Sequence, residues 1–400
     1  EKEIEEIREE FRDVAFFASF LFFLVSDLPI IDPMYQYSLQ WFEHLFSQSL
    51  QRSAPSSEST ERSLLIKNFF LSSLFDRITQ SIYSKQKPIF SFLLASRCLQ
   101  EYRQLDLDKY HHLISSVQKT EETEESICPV NWIPQDTWTK IVSELKVLAR
   151  FDSLKDFHFN FTTRPNDWKN YFESNDPQNF QLPSPWEETL SEIDRLLVLK
   201  TLRLEKLLPG LERFVVKSLG QKFVEYPTPL LADIFASSSC TLPILFMIAP
   251  GSDPKSDFDS LVNSLGIKNV NVISLGQGQG DKAEKMIKET SKLNGDGGWI
   301  FLQNCHLSLS WLQRLEQLCE DLSVETTHPN FRLWLTTMPF ASFPPFLLQN
   351  SIKLTIEPPR GLKANLQLIY NGLDSKSLEA CTKRPTDYKK LLFGLSVFHA

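Results

Sequence analysis

Backbone amides that wrap a phosphate, a lysine that reaches its outer oxygens and a hydroxyl for Mg²⁺ are carried together by the pattern GxxxxGK[ST]. Residues 250–256 read PGSDPKS and follow an apolar run, 242–249, that suits a buried strand. Counted from Gly251, the second glycine falls on Ser256, the lysine on Asp257 and the hydroxyl on Phe258. Counted back from Lys255 and Ser256, the glycines fall on Ala249 and Pro254. Neither register works, because Asp257 repels phosphate and Pro254 removes an amide donor. A nucleotide hydrolase of this kind also carries an acidic pair after its third strand, one carboxylate near Mg²⁺ and one polarising water. Here the third apolar run, 299–302, is followed by Gln303 and Asn304. Neutral amides do not hold a hard dication by charge and take no proton from water near pH 7. The sequence therefore predicts a phosphate-loop fold whose site is dead, with no catalytic, cofactor-binding or metal-binding residue in this chain.

Other candidates are weaker. Gly276, Gly278 and Gly280 miss the GxGxxG spacing and follow the second strand, so a flexible strand-to-helix turn is the better reading. Cys305 and His306 suggest a thiolate–imidazole pair, but sequence neighbours seldom face each other, and no acid is placed to orient the ring. His111 and His112 are expected in a polar loop without a second pair of metal ligands. Trp132, Trp138, Trp168 and Trp186 are interleaved with acids rather than with Lys or Arg, which favours core packing over stacking on nucleic acid.

The elements that must position these residues fall into two regimes. In the first third, apolar residues recur at helical spacing over 14–25, 35–50 (opened by Pro33), 64–83 and 89–102. The charged run 1–12 carries only Ile4, Ile7 and Phe11 on one stripe, the pattern of a coiled-coil arm or a solvated helix. A polar stretch, 119–126, precedes a Pro- and Trp-rich region, 129–186, and helices are expected at 185–208 and 211–220. From residue 242 the period changes. Strands at 242–249, 270–275, 299–302, 331–338 and 352–356 alternate with helices, which calls for a doubly wound parallel sheet. Four hundred residues suggest two or three domains. Forty-two basic residues against 50 acidic ones give −8, so no global field draws the chain to nucleic acid or anionic lipid. The run 14–25 is too short for a membrane span of about 20 residues. None of the six cysteines forms a CxxC pair, as expected of a reduced intracellular protein. A start at Glu1 and an end inside an apolar pattern suggest a piece of a longer polypeptide.

The words of the sequence resemble the dynein heavy chain, and more narrowly the sixth, nucleotide-free AAA+ module of its motor ring. The resemblance is carried by 297–315 (GGWIFLQNCHLSLSWLQRL), 331–344 (FRLWLTTMPFASFP), 348–366 (LQNSIKLTIEPPRGLKANL), 274–280 (SLGQGQG) and 249–254 (APGSDP). Upstream, 32–42 (DPMYQYSLQWF), 87–94, 182–203 and 220–227 follow the same family in order. It implies α/β plus all-α architecture. Residues 1–120 would be the helical lid of the fifth module with the end of a coiled-coil buttress arm, and 121–235 a helical lead-in to the sixth. Residues 236–358 would be the sixth module's AAA+ α/β domain with a five-stranded parallel sheet, and 359–400 the start of its lid. It further implies an ATP-driven, minus-end-directed microtubule motor, ATP and Mg²⁺ being held elsewhere in the parent chain. Partners would be the neighbouring modules, the microtubule through a stalk, and intermediate and light chains, with no nucleic acid and no membrane. GLKANL and 389–400 are closer to axonemal members, hence a ciliary axoneme. Leu204-Glu205 stands where the family usually has Pro-Asp. The competing reading is a stand-alone pseudo-ATPase scaffold that binds proteins; a third, an active ATPase, would need its lysine and carboxylate from a neighbouring chain.

Overall fold

Spacings of three and four among Val14, Phe17, Ala18, Leu21, Leu24 and Val25 put six buried side chains on one face of α1 (Arg12–Asp27). With the turn that follows, α1 is long and apolar enough to cross a membrane. Those six side chains are instead buried where it packs on α3 and α4. The computed structural model describes residues 8, 9, 11–115, 127–227, 230–276, 278–295, 297–358, 361–371, 373, 379 and 381–400. Most of the charged run expected to form a coiled-coil arm, Ile4 and Ile7 included, lies outside them. From Arg12 onward the helix is core rather than arm. The polar boundary at 119–126 also lies outside the described residues.

Two compact units divide the chain: Glu1–Ile31 with Leu39–Thr228, and Asp32–Ser38 with Pro229–Ala400. Residues 39–228 fall in one unit, across position 120.

In the first unit α2 (Leu39–Arg52), α3 (Ser59–Thr79) and α4 (Lys87–Glu101) follow α1. The expected helix 35–50 starts later, at Leu39. The Asp32 carboxylate accepts the Met34 amide at 2.9 Å, closing a turn at Asp32-Pro33 that holds residues 33–38 out of helix. The short α5 (Leu107–Ile114) is capped by Asp106, whose carboxylate accepts the Asp108 and Lys109 amides. His111 and His112 thus sit on a helix, not in a loop. Next come α6 (Gln135–Leu148) and α7 (Phe157–Thr163), with Trp138, Trp168 and Trp186 buried among Phe157 and Phe161. The long helix expected over 185–208 is broken. Ser191 and Asp194 form a capping box that starts α8 (Glu192–Leu202) afresh, and α9 (Leu207–Leu219) follows a short turn. Lys200, on α8, donates to the carbonyls of His112, Leu113 and Ser115 at 2.8–3.1 Å, satisfying the open end of α5.

The second unit is built on β1 (Ile244–Ile248), β2 (Val270–Ser274), β3 (Trp299–Gln303), β4 (Arg332–Thr337) and β5 (Ile352–Ile356), all parallel, in the order β2-β3-β4-β1-β5. Each strand lies within two residues of its expected span. Helices α10 (Leu231–Ser237), α11 (Lys255–Leu265), α12 (Gly280–Thr290), α13 (Leu309–Glu320) and α14 (Pro345–Gln349) surround the sheet in chain order. Ile244, Phe246, Phe301, Trp334 and Leu354 share one face with Ile234 and Phe258 from α10 and α11. The alternate residues Leu245, Met247, Ile300, Leu302, Leu333 and Leu335 are buried as well. A sheet covered on both faces explains the continuous apolar strands. Helices α15 (Leu362–Asn371) and α16 (Pro385–His399) close the chain where a lid was expected to begin.

Candidate functional site: the carboxyl end of the sheet

Ligands of doubly wound sheets gather outside the carboxyl ends of the strands. The loop after β1 is closed by its own groups. Pro250 and Pro254 have no N–H. The Ala249 amide donates to the Ile356 carbonyl of β5 (2.9 Å) and the Ser252 amide to Ala249 (3.1 Å). The Lys255 amide is taken by the Asp253 carboxylate at 2.9 Å. Of the seven residues 249–255, only Gly251 and Asp253 are left to aim an amide at a ligand. The Ser252 hydroxyl turns inward, within 2.6 Å of the Ala249 carbonyl and 2.9 Å of Ile356. Ser256 and Asp257 are exposed, and Phe258, at the position of a Mg²⁺-binding hydroxyl, is fully buried and stacked on Phe301 with centroids 4.4 Å apart.

The turn after β3 is explained in the same way. Asn304 adopts the left-handed conformation (φ 59°), which Asn tolerates better than most residues. Its amide donates to the hydroxyl of buried Thr336 (2.9 Å), and its side-chain amide to Ser274 (3.4 Å). Gln303 contributes its carbonyl to Leu275 of the neighbouring strand end (2.8 Å). Asn304 therefore joins the ends of β2, β3 and β4, a structural role open to an amide.

Cys305 and His306 are not brought together as a pair. The Cys305 thiol faces the Leu302 carbonyl (3.8 Å), and burial pushes it up to about 12. His306 accepts the Met338 amide through Nδ1 (3.2 Å), and burial lowers it below the ordinary imidazole value, which suits an acceptor nitrogen. The thiols make a direct check. On native protein, iodoacetamide at pH 8 should modify the half-buried Cys128, Cys240 and Cys381 first, leaving buried Cys98, Cys305 and Cys319 unmodified until unfolding. Mass spectrometry finding Cys305 among the early adducts would restore it as a reactive group.

Gly280 opens α12 where a Cβ would lie 2.6 Å from the Trp311 ring, so its glycine serves helix packing. His112 packs on Phe151, and burial with nearby Arg150 and Lys200 keeps it below its ordinary value. Among the described residues no three His, Cys, Asp or Glu side chains cluster as metal ligands. Sequence reading missed the buried Lys353 on β5 and the pair of half-buried Lys109 with buried Asp194 (2.8 Å), which Ser153 completes. The motif Ser191-x-x-Asp194 was a usable signal for Asp194, whereas a single lysine in an edge strand gave none for Lys353.

Residues 239–355 match the family described as dynein heavy chain region D6 P-loop domain. Over its whole length the chain is 37% identical to dynein axonemal heavy chain 3 of Mus musculus and 35% identical to dynein axonemal heavy chain 1 of Homo sapiens. It is also 32% identical to the dynein-1-beta heavy chain, flagellar inner arm I1 complex, of Chlamydomonas reinhardtii. The chain spans about a tenth of the length of these curated relatives. The chain belongs to the dynein heavy chain family, and its five-stranded α/β unit carries the D6 P-loop domain.

Proposed function

We propose that this chain is a non-hydrolysing relay segment in the ring of an axonemal dynein motor, which moves along microtubules toward the minus end by hydrolysing ATP in other modules. The observation that carries the proposal is the closed loop after β1. Three of its amides and the Ser252 hydroxyl are spent on Ile356, Ala249 and Asp253, and core-forming Phe258 stands where a Mg²⁺-binding hydroxyl would be needed. Gln303 and Asn304 supply no carboxylate. A module so built takes no part in phosphoryl transfer, yet a rigid parallel sheet can pass on a rigid-body shift from a neighbour. On this reading 1–120 are the fifth module's lid with the end of the buttress arm, 121–235 the lead-in, 236–358 the sixth module's α/β domain and 359–400 the start of its lid. The partners are neighbouring modules of the same heavy chain, intermediate and light chains, and the microtubule through the parent's stalk. The setting is the ciliary axoneme, as the names of the relatives suggest.

Calorimetric titration of the 400-residue chain with MgATP should give no saturable heat, and Asn304→Glu should create no hydrolysis, because no lysine faces the phosphates. Saturable, Mg²⁺-dependent binding in the micromolar range would refute the relay reading and favour an active module.

A further inference from the structure

Lys353, the second residue of β5, is 4% exposed, where a lysine has no obvious reason to be. Its Nζ donates to two backbone carbonyls at 2.6 Å each, Gln36 and Leu348, and lies 3.9 Å from the centre of the Tyr37 ring. Leu348 belongs to α14. Gln36 and Tyr37 belong to Asp32–Ser38, the short stretch that clusters with the second unit although the helices on either side of it cluster with the first. The rest of the stretch is fastened to match. Met34 and Tyr35 are buried, and the Gln36 side chain accepts from Gln349 of α14 (3.4 Å). We propose that Asp32–Ser38 is a strap and that Lys353 is the latch holding it to β5 and α14 of the second unit.

The chemistry of the latch is unusual. Among the described residues no carboxylate pairs with Lys353, and β1 and α14, which flank it, carry no ionisable side chain. The groups of the strap that can titrate are Asp32, turned onto the Met34 amide, and the phenols of Tyr35 and Tyr37. Two carbonyl oxygens use two N–H bonds, which a neutral amine also possesses. Burial alone pushes the amine down to about 7. Once the strap lifts, water reaches the amine and its affinity for a proton returns to the ordinary lysine value. The latched state therefore binds fewer protons than the released state at every pH between about 7 and about 10.4. Latching must strengthen as pH rises through that window and level off below it. Lys353 is the group through which this linkage acts, because its amine is the one whose proton affinity burial lowers into this window.

Hydrogen exchange on the full chain tests the latch. In the wild type, protection of the 32–38 amides, corrected for intrinsic rate, should rise between pH 7 and 9 by up to roughly tenfold per unit. Amides of β1 and β3 should show no such slope. Lys353→Met should abolish the slope and lower strap protection, and Tyr37→Leu, which leaves the sheet intact, should lower protection while keeping the slope. Strap protection that is flat with pH in the wild type would overturn the proposal without reference to any variant. So would a folded Lys353→Met protein with wild-type strap protection and slope.

Discussion

Phe301→Asp should leave no folded second unit: the protein should be largely insoluble, and any soluble fraction should lack the cooperative melting transition of the sheet. Phe301 lies inside the sheet, with β3 paired to β2 on one side and to β4 on the other, and is completely buried. Its ring stacks on Phe258 and meets Phe246 edge-on at 6.2 Å. An aspartate there has no cation and no donor, so burying it costs roughly several kcal/mol as the neutral acid and more as the carboxylate. That is a large share of a typical total stability of about 5–15 kcal/mol. Phe301→Leu keeps the site apolar and should cost only about 1–2 kcal/mol. Scanning calorimetry of the two variants separates polarity from volume. A soluble aspartate variant melting at the wild-type temperature would mean that β3 is not where the core is.

The second large effect belongs to the first unit. Lys67 on α3 pairs with Asp13 of α1 at 2.5 Å and with Glu101 of α4 at 3.4 Å, between the rings of Phe17 and Tyr102. The side chains of Lys67 and Glu101 are about 95% buried, and burial raises the carboxyl of Glu101 above its ordinary value even with the lysine present. Lys67→Met strands Glu101 without a counter-charge, and the expected loss is about 3–5 kcal/mol. Adding Glu101→Leu should return much of it, because the stranded charge is then gone. The pH dependence supplies an independent check. In Lys67→Met the folded state takes up a proton at Glu101 more readily than the unfolded chain, so the deficit should shrink as pH falls from 7 toward 5. Denaturant titrations at the two pH values measure this, and a deficit that grows on acidification would place the loss elsewhere.

The α/β unit was legible because its strands are buried on both faces: a run such as 244–248 is apolar throughout, and proline or glycine stands close after it. The departures from a phosphate loop were legible for a related reason, since such a loop depends on particular residue types at fixed spacing. Helix boundaries were harder. Tyr35 and Tyr37 carry the aromatic content of a core helix, and the turn at Asp32-Pro33 together with the bonds of Gln36 to Lys353 and Gln349 keeps them out of one. The break at 190–191 was readable in the Ser191–Asp194 capping box but was overridden by the continuous apolar period on either side of it. The buried lysines were not legible at all. Lys67 is one polar residue in a helix that otherwise reads as amphipathic, and Lys353 one in a strand whose local alternation places it outward. Apart from the Leu348 carbonyl of α14, their partners come from helix α1, helix α4 and the strap, far away in sequence.

Phe258, Phe301, Trp299 and Trp334 pack in one core cluster on the sheet. They also give the sheet an optical identity. The indoles of Trp299 and Trp334, on adjacent strands, have centroids 5.2 Å apart and planes tilted by 42°, and both are shut off from solvent. Two strongly absorbing chromophores so close and so skewed share their excited states, so the far-ultraviolet circular dichroism of the protein should contain a paired band of opposite signs. That band is a property of β3 lying against β4, not of helix content or of any single tryptophan. The same packing thus provides an intrinsic signal for following the sheet.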